Sequence, residues 1–152
     1  MLLLRSLGSI FIMLLAAGCG DSTAPPMRMT ALYVLESING QALPTSFSPY
    51  PGQTATVLWE TVNLDATGNA TTVQRRRTET ATVQQERTEA RITGYEITGE
   101  SIEIGPPCPN DPLADCVPKR VGQITPSTLT LSGDLGDPHG LVYLYRLAVR
   151  VD

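Results

Sequence analysis

The chain has 152 residues, with 11 lysines and arginines against 15 aspartates and glutamates, for a net charge of −4. That length suits one domain with a single sizeable core. The excess of acid argues against a nucleic-acid partner, which calls for a basic face. Aromatic residues are scarce at 5%, while frequent threonine, valine and isoleucine favour strands.

Residues 1–18 read as a secretory signal peptide. Met1 to Arg5 carries one positive charge, and the apolar core Ile10-Phe11-Ile12-Met13-Leu14-Leu15-Ala16-Ala17 follows. A bilayer-spanning helix takes roughly 18 or more consecutive apolar residues, so this run is too short to cross. Small residues then lead to a cysteine, in Leu15-Ala16-Ala17-Gly18-Cys19. This stretch resembles the lipobox of bacterial lipoproteins, with Ala16 in the place where leucine is commonest. The resemblance implies a diacylglycerol on the Cys19 thiol, cleavage after Gly18 and acylation of the new amine. Several acyl chains on one residue hold a protein stably at a membrane. Gly20, not aspartate, follows the cysteine. In that family aspartate there is a signal for retention at the inner membrane, so the expected place is the bacterial envelope, leaning towards the outer membrane, on its periplasmic or surface side.

Gly20 to Met29 is polar, contains Pro25-Pro26 and shows no periodicity. With Cys19 it reads as a lipidated tether over 19–29, reaching on the order of 30 Å when extended. The folded domain is expected over 30–152. Its first strand is Ala31 to Ile38, closed by the turn signal Asn39-Gly40. Gln41 to Gly52, with Pro44 and Pro51, reads as a loop. Thr54 to Leu64 is a second strand and Asp65 to Asn69 a hairpin turn. Ala70 to Arg91 is too long for one strand and is expected to turn near Thr78–Thr80, with a helix over Glu79–Arg91 as the alternative. Ile92-Thr93-Gly94-Tyr95-Glu96-Ile97 and Ser101-Ile102-Glu103-Ile104 form a hairpin about Gly99, with Tyr95, Ile97, Ile102 and Ile104 on its apolar face and Glu96 and Glu103 outside. A proline-rich loop to Pro118, strands at Arg120–Ile124 and Thr128–Ser132, a loop over Gly133–Gly140 and a final strand over Leu141–Val149 complete the chain.

About eight strands with short connections and no βαβ spacing predict an all-β, antiparallel up-and-down barrel, because closure removes exposed edges. A two-sheet β-sandwich is the alternative. The segment Tyr33 to Pro44, the stretch Thr93 to Ile102 with its Gly-x-Tyr strand, and Val142-Tyr143-Leu144-Tyr145-Arg146 resemble bacterial lipoproteins with a small lipocalin-like barrel. That resemblance implies a fold and brings no catalytic residue.

Candidate chemistry is sparse. Cys108 and Cys116 form an even pair in an exported domain and are expected to be bridged, stapling a loop with no core of its own. Two cysteines at that spacing fit no zinc pattern, and Asn110, Asp111 and Asp115 lack calcium-loop spacing. No metal or cofactor is expected. His139 sits in a Pro-Gly turn with no nucleophile elbow in the chain. Within Arg75-Arg76-Arg77, alternate residues face opposite ways, so Arg75 and Arg77 share a face near Glu79 and Glu86. Trp59 and Tyr95 are read as core residues or as the lining of a ligand mouth, with Trp59 expected inside beside Val57. The expected function is a non-catalytic, membrane-anchored envelope lipoprotein whose barrel serves binding or structure, with a protein partner or an inhibitor-like role favoured. A carrier of a small apolar ligand is the alternative, and a hydrolytic enzyme is disfavoured.

Overall fold

A computed structural model describes residues 27–107, 117–133 and 140–151. The signal peptide, Cys19, Cys108, Asn110, Asp111, Asp115, Cys116 and His139 lie outside the described residues. The described chain is all-β and antiparallel. Its strands are β1 (Thr30–Ile38), β2 (Gln41–Ala42), β3 (Thr45–Tyr50), β4 (Gln53–Leu64), β5 (Asn69–Thr80), β6 (Gln84–Thr98), β7 (Ser101–Gly105), β8 (Arg120–Ile124), β9 (Thr128–Ser132) and β10 (Val142–Val151). From β4 to β10 each strand pairs with the next, and β1 closes the circle by pairing with both β10 and β4. The result is a closed eight-stranded barrel with two additional strands, β2 and β3.

The two extra strands fill a gap that opens along one seam. At the lower end of the barrel, Ala31 to Val34 pair with Leu64 to Thr61. Higher up β1 and β4 part company. Ser37 and Ile38 take Ala42 and Gln41 as partners, and Val57 to Gln53 take β3. The segment Gln41–Gly52, expected as a loop, is therefore largely strand. Pro44 and Pro51 flank β3, and Pro49 lies inside it, where the ladder with β4 is irregular between Phe47 and Tyr50; an edge strand tolerates such a break. Asn39 and Gly40 both have positive φ, 50° and 75°, the turn their sequence signals.

β5 and β6 form one long hairpin whose turn falls at 81–83, just past the expected position. No glycine marks it. Thr80 does the work of a turn residue instead: its N–H donates to the Val83 carbonyl at 2.8 Å, and its hydroxyl accepts from the Val83 N–H at 3.1 Å. The alternative, a helix over Glu79–Arg91, does not form, and β6 runs without a break from Gln84 into Ile92–Thr98.

The core lies inside the barrel and follows the strand alternation. Tyr33, Val62, Leu64, Ile102, Leu129, Leu131 and Tyr145 are fully buried, with Tyr95, Ile97 and Ile104 nearly so. Glu96 and Glu103 point outwards, opposite one another. Trp59 departs from its expected place. The ladder between β4 and β5 skips a residue, with Val57 opposite Arg76 and Trp59 opposite Arg75. This bulge at Leu58 switches the inward set from Ala55 and Val57 to Glu60, Val62 and Leu64. Trp59 is thereby turned to the outside, at 37% exposure.

Candidate functional site

Two places in the fold carry more than packing. The first is the middle of the barrel. Glu60 on β4 and Arg120 on β8 form an ion pair at 2.9 Å with side chains 1% and 5% exposed. The Tyr145 hydroxyl accepts from Arg120 Nη2 and donates to Glu60 Oε1. Gln74 Nε2 donates to the other carboxylate oxygen, and Arg120 Nε donates to the Gly133 carbonyl at 3.0 Å. The guanidinium also lies over the Tyr143 ring, 4.6 Å from its centroid, and 5.7 Å from that of Tyr145. Such stacking suits arginine. Burial, reinforced by the Glu60 charge, pushes the Tyr145 hydroxyl well above its ordinary pKa. Tyr145 is thus held protonated, as a donor to Glu60. Each charge in the cluster is met by a partner, which is the condition for keeping ions in a low-dielectric interior. The Tyr33 hydroxyl is buried with no hydrogen-bond partner among the described residues, and burial raises its pKa as well.

The sequence reading passed over Glu60, Arg120 and Tyr145. A signal exists for Arg120: in strand register it shares a face with Gly122 and Ile124 and so points inwards. Glu60 carries no such signal, because its inward aspect depends on the bulge at Leu58.

The second place is the upper half of the β3–β4–β5–β6 sheet. β7 pairs with β6 only over Gly94–Thr98, ending at Gly105 opposite Gly94. From Gln84 to Thr93, β6 is paired on the β5 side, and among the described residues nothing pairs with its other side. Gln84 to Thr88, Arg91 and Ile92 are exposed, Ile92 at 72%. On the outer face Arg75 and Arg77 clamp Glu86, at 2.8 and 2.7 Å. They lower its pKa, Arg77 most. This is the shared face and the partner expected for that pair. On the inner face, continuous with Ala55 and Val57, Arg76 stands directly opposite Arg87. Like charges in that relation are unfavourable, and neither arginine forms an ion pair among the described residues.

Tyr95 belongs to the core and also fixes the entry of the chain. Its hydroxyl donates to the Asp65 carbonyl at 2.8 Å and accepts from the Met29 N–H at 3.0 Å. Arg28 donates to the Tyr95 carbonyl at 2.7 Å and lies over its ring. Residues 28 and 29, expected as the end of a free tether, are therefore docked on the barrel. They sit at the end bearing the Asp65–Gly68 turn, opposite the β5–β6 tip. A shallow groove on the outer surface, between β1 and β10, is lined by Val34, Leu35, Glu36, Arg146, Leu147 and Ala148.

Among the described residues no three histidine, cysteine, aspartate or glutamate side chains cluster as metal ligands, and no helix is long and apolar enough to cross a membrane. Compared with known proteins, the chain matches no family model, no curated protein and no solved structure. The fold and the two places described above are therefore what a functional reading has to stand on.

Proposed function

We propose that this chain is a non-catalytic envelope lipoprotein, held at a bacterial membrane by lipid on Cys19, whose barrel binds another protein by accepting a strand on the open edge of β6. The observation that carries this reading is the contrast between the two places. The barrel interior is taken up by Tyr33, Tyr143, Tyr145 and the Glu60–Arg120 pair, whereas the β6 edge over Gln84–Thr93 has no pairing partner among the described residues. An open strand edge is a template for strand addition. The geometry of the chain entry agrees with an anchor. Arg28 and Met29 are docked at one end, so a lipid on Cys19 would hold that end nearest the membrane and present the β5–β6 tip away from it. An outer-membrane location and a periplasmic or surface side belong to the same proposal.

Native mass spectrometry of the full chain, extracted from its membrane in detergent, tests it. The expected species carries acyl chains on Cys19 and retains a polypeptide but no small molecule. A retained small apolar molecule released on denaturation would replace this reading with that of a carrier. An unmodified Cys19 would remove the anchor.

A further inference from the structure

We propose that the strand added to the open edge of β6 is β6 of a second copy, in one particular antiparallel register. The inference rests on the strand-addition reading above and names its partner.

Two copies joined edge to edge by antiparallel strands are related by a two-fold axis perpendicular to the shared sheet, so each residue faces a partner of the same face. Inner face then continues into inner face, so directly opposite residues have the same parity and one residue of β6 must sit on the axis. The charges choose among these registers. With Thr88 on the axis, Arg87 stands opposite Glu89 of the other copy, and Glu89 opposite its Arg87. Arg91 meets Gln85, and on the outer face Ala90 meets Glu86 and Ile92 meets Gln84. With Arg87 on the axis, the two Arg87 side chains oppose each other. With Glu89 on the axis, the two glutamates oppose each other and Arg87 faces Arg91. With Ala90 on the axis, Glu86 falls opposite Gly94, whose edge β7 already holds. Opposite charges directly across a ladder are favourable and like charges unfavourable, so the register centred on Thr88 is selected.

That register also answers the unfavourable feature of the isolated hairpin. Arg87 faces Arg76 within its own chain and has no ion pair there among the described residues. A second copy brings the Glu89 carboxylate to its other side. The alternation Glu86, Arg87, Glu89, Arg91 discourages most other strands from docking, as charged edges do, while it complements itself. Either hydrogen-bonding phase of the β6 edge accommodates this pairing, because hydrogen-bonded and non-bonded pairs alternate along an antiparallel ladder.

The test uses the full chain in detergent. Directly opposite residues have Cα atoms about 4.5–5.5 Å apart, inside the range a disulfide spans. A Thr88→Cys variant is expected to form a covalent dimer on mild oxidation. An Ala90→Cys variant is not, since its two copies would lie more than about 13 Å apart along the strands. The unsubstituted chain, run alongside, accounts for links through Cys19, Cys108 and Cys116. In sedimentation, Arg87→Glu and Glu89→Arg are each expected to weaken self-association at least about tenfold, and the double swap to restore it. A link at position 90 in preference to 88, self-association indifferent to the charge changes, or a chain that stays monomeric would each overturn the proposal. Hydrogen exchange separates that failure from failure of the reading beneath it. Within Gln84–Thr93, protection of the amides that face away from β5, in the membrane extract of a monomeric chain, means that a different protein supplies the strand. Lack of protection at those amides means that strand addition itself is wrong.

Discussion

Glu60 and Arg120 meet at 2.9 Å from β4 and β8, strands that lie on opposite sides of the eight-stranded circle. The ion pair is therefore a brace across the barrel. Removing one member of a buried pair leaves a stranded charge and costs about 3–5 kcal/mol, whereas replacing both can be nearly neutral. Glu60→Gln and Arg120→Met are each expected to lose stability in that range. The double variant should lose less than the sum by about 2 kcal/mol or more, which a denaturation cycle measures. Additive losses would show that the two side chains act separately.

Gly122 is held to glycine by its neighbour. A Cβ there would lie 1.7 Å from the Thr130 carbonyl oxygen, and the obstacle is backbone, so β8 and β9 would have to separate. Gly122→Ala is expected to cost about 3 kcal/mol or more by thermal or denaturant unfolding. Gly99→Ala provides the contrast. Its φ is +62° with nothing within 4 Å of the new Cβ, so it should cost only about 1 kcal/mol.

These two sites mark the boundary of what the sequence discloses. Alternation finds the strands wherever a hydrophobic face is regular, as in Tyr95, Ile97, Ile102 and Ile104, and Asn39-Gly40 announces its turn. Barrel closure follows from many short strands joined in order. The same alternation misplaces Trp59, because one extra residue at Leu58 reverses every side chain beyond it. It also hides Glu60, whose partner lies 60 residues away and whose burial depends on that bulge. β3 is missed because prolines suggest a loop, although an edge strand broken at Pro49 still pairs on either side of the break. The open edge of β6 has no local signature at all. Among the described residues it exists because β7 stops at Gly105, opposite Gly94, while β6 begins ten residues earlier.

Among the described residues the buried Tyr33 hydroxyl has no hydrogen-bond partner, and an unsatisfied buried polar group is a cost that its removal relieves. Tyr33→Phe is expected to leave stability unchanged or raise it by about 1 kcal/mol. A loss of similar size in calorimetry would instead show that the hydroxyl serves a bound water.

Asp65 organises the β4–β5 turn. Its Oδ1 accepts from the Thr67 hydroxyl at 2.6 Å and from the Thr67 and Asn69 N–H groups, both at 2.9 Å. These bonds, the Thr67 hydroxyl foremost, hold its pKa at about 2 against an ordinary 3.8. The folded value is the lower one, so the turn's contribution is complete above the ordinary value and is lost as pH falls through about 2. Carboxyl NMR titration should find Asp65 still ionised well below its ordinary 3.8. Thr67→Ala should move its midpoint upwards, and an unmoved midpoint would mean that the hydroxyl does not hold the charge.

Trp59 is the chain's one tryptophan, which makes its fluorescence a report on the bulge at Leu58. On the outer surface at 37% exposure, its indole should be quenched by a polar quencher in the folded protein nearly as readily as in the unfolded one. Had the strand run without the bulge, Trp59 would share the inward face of Val57 and be shielded. Deleting Leu58 removes the extra residue and leaves Val57 inward, Trp59 outward and Glu60 inward in unbroken alternation. The indole is therefore expected to stay open to the quencher, and the Glu60–Arg120 pair to survive, in the folded variant. An indole that becomes shielded, or a loss of about 3–5 kcal/mol for a stranded guanidinium, would show that the extra residue at Leu58 does not set the inward face of β4.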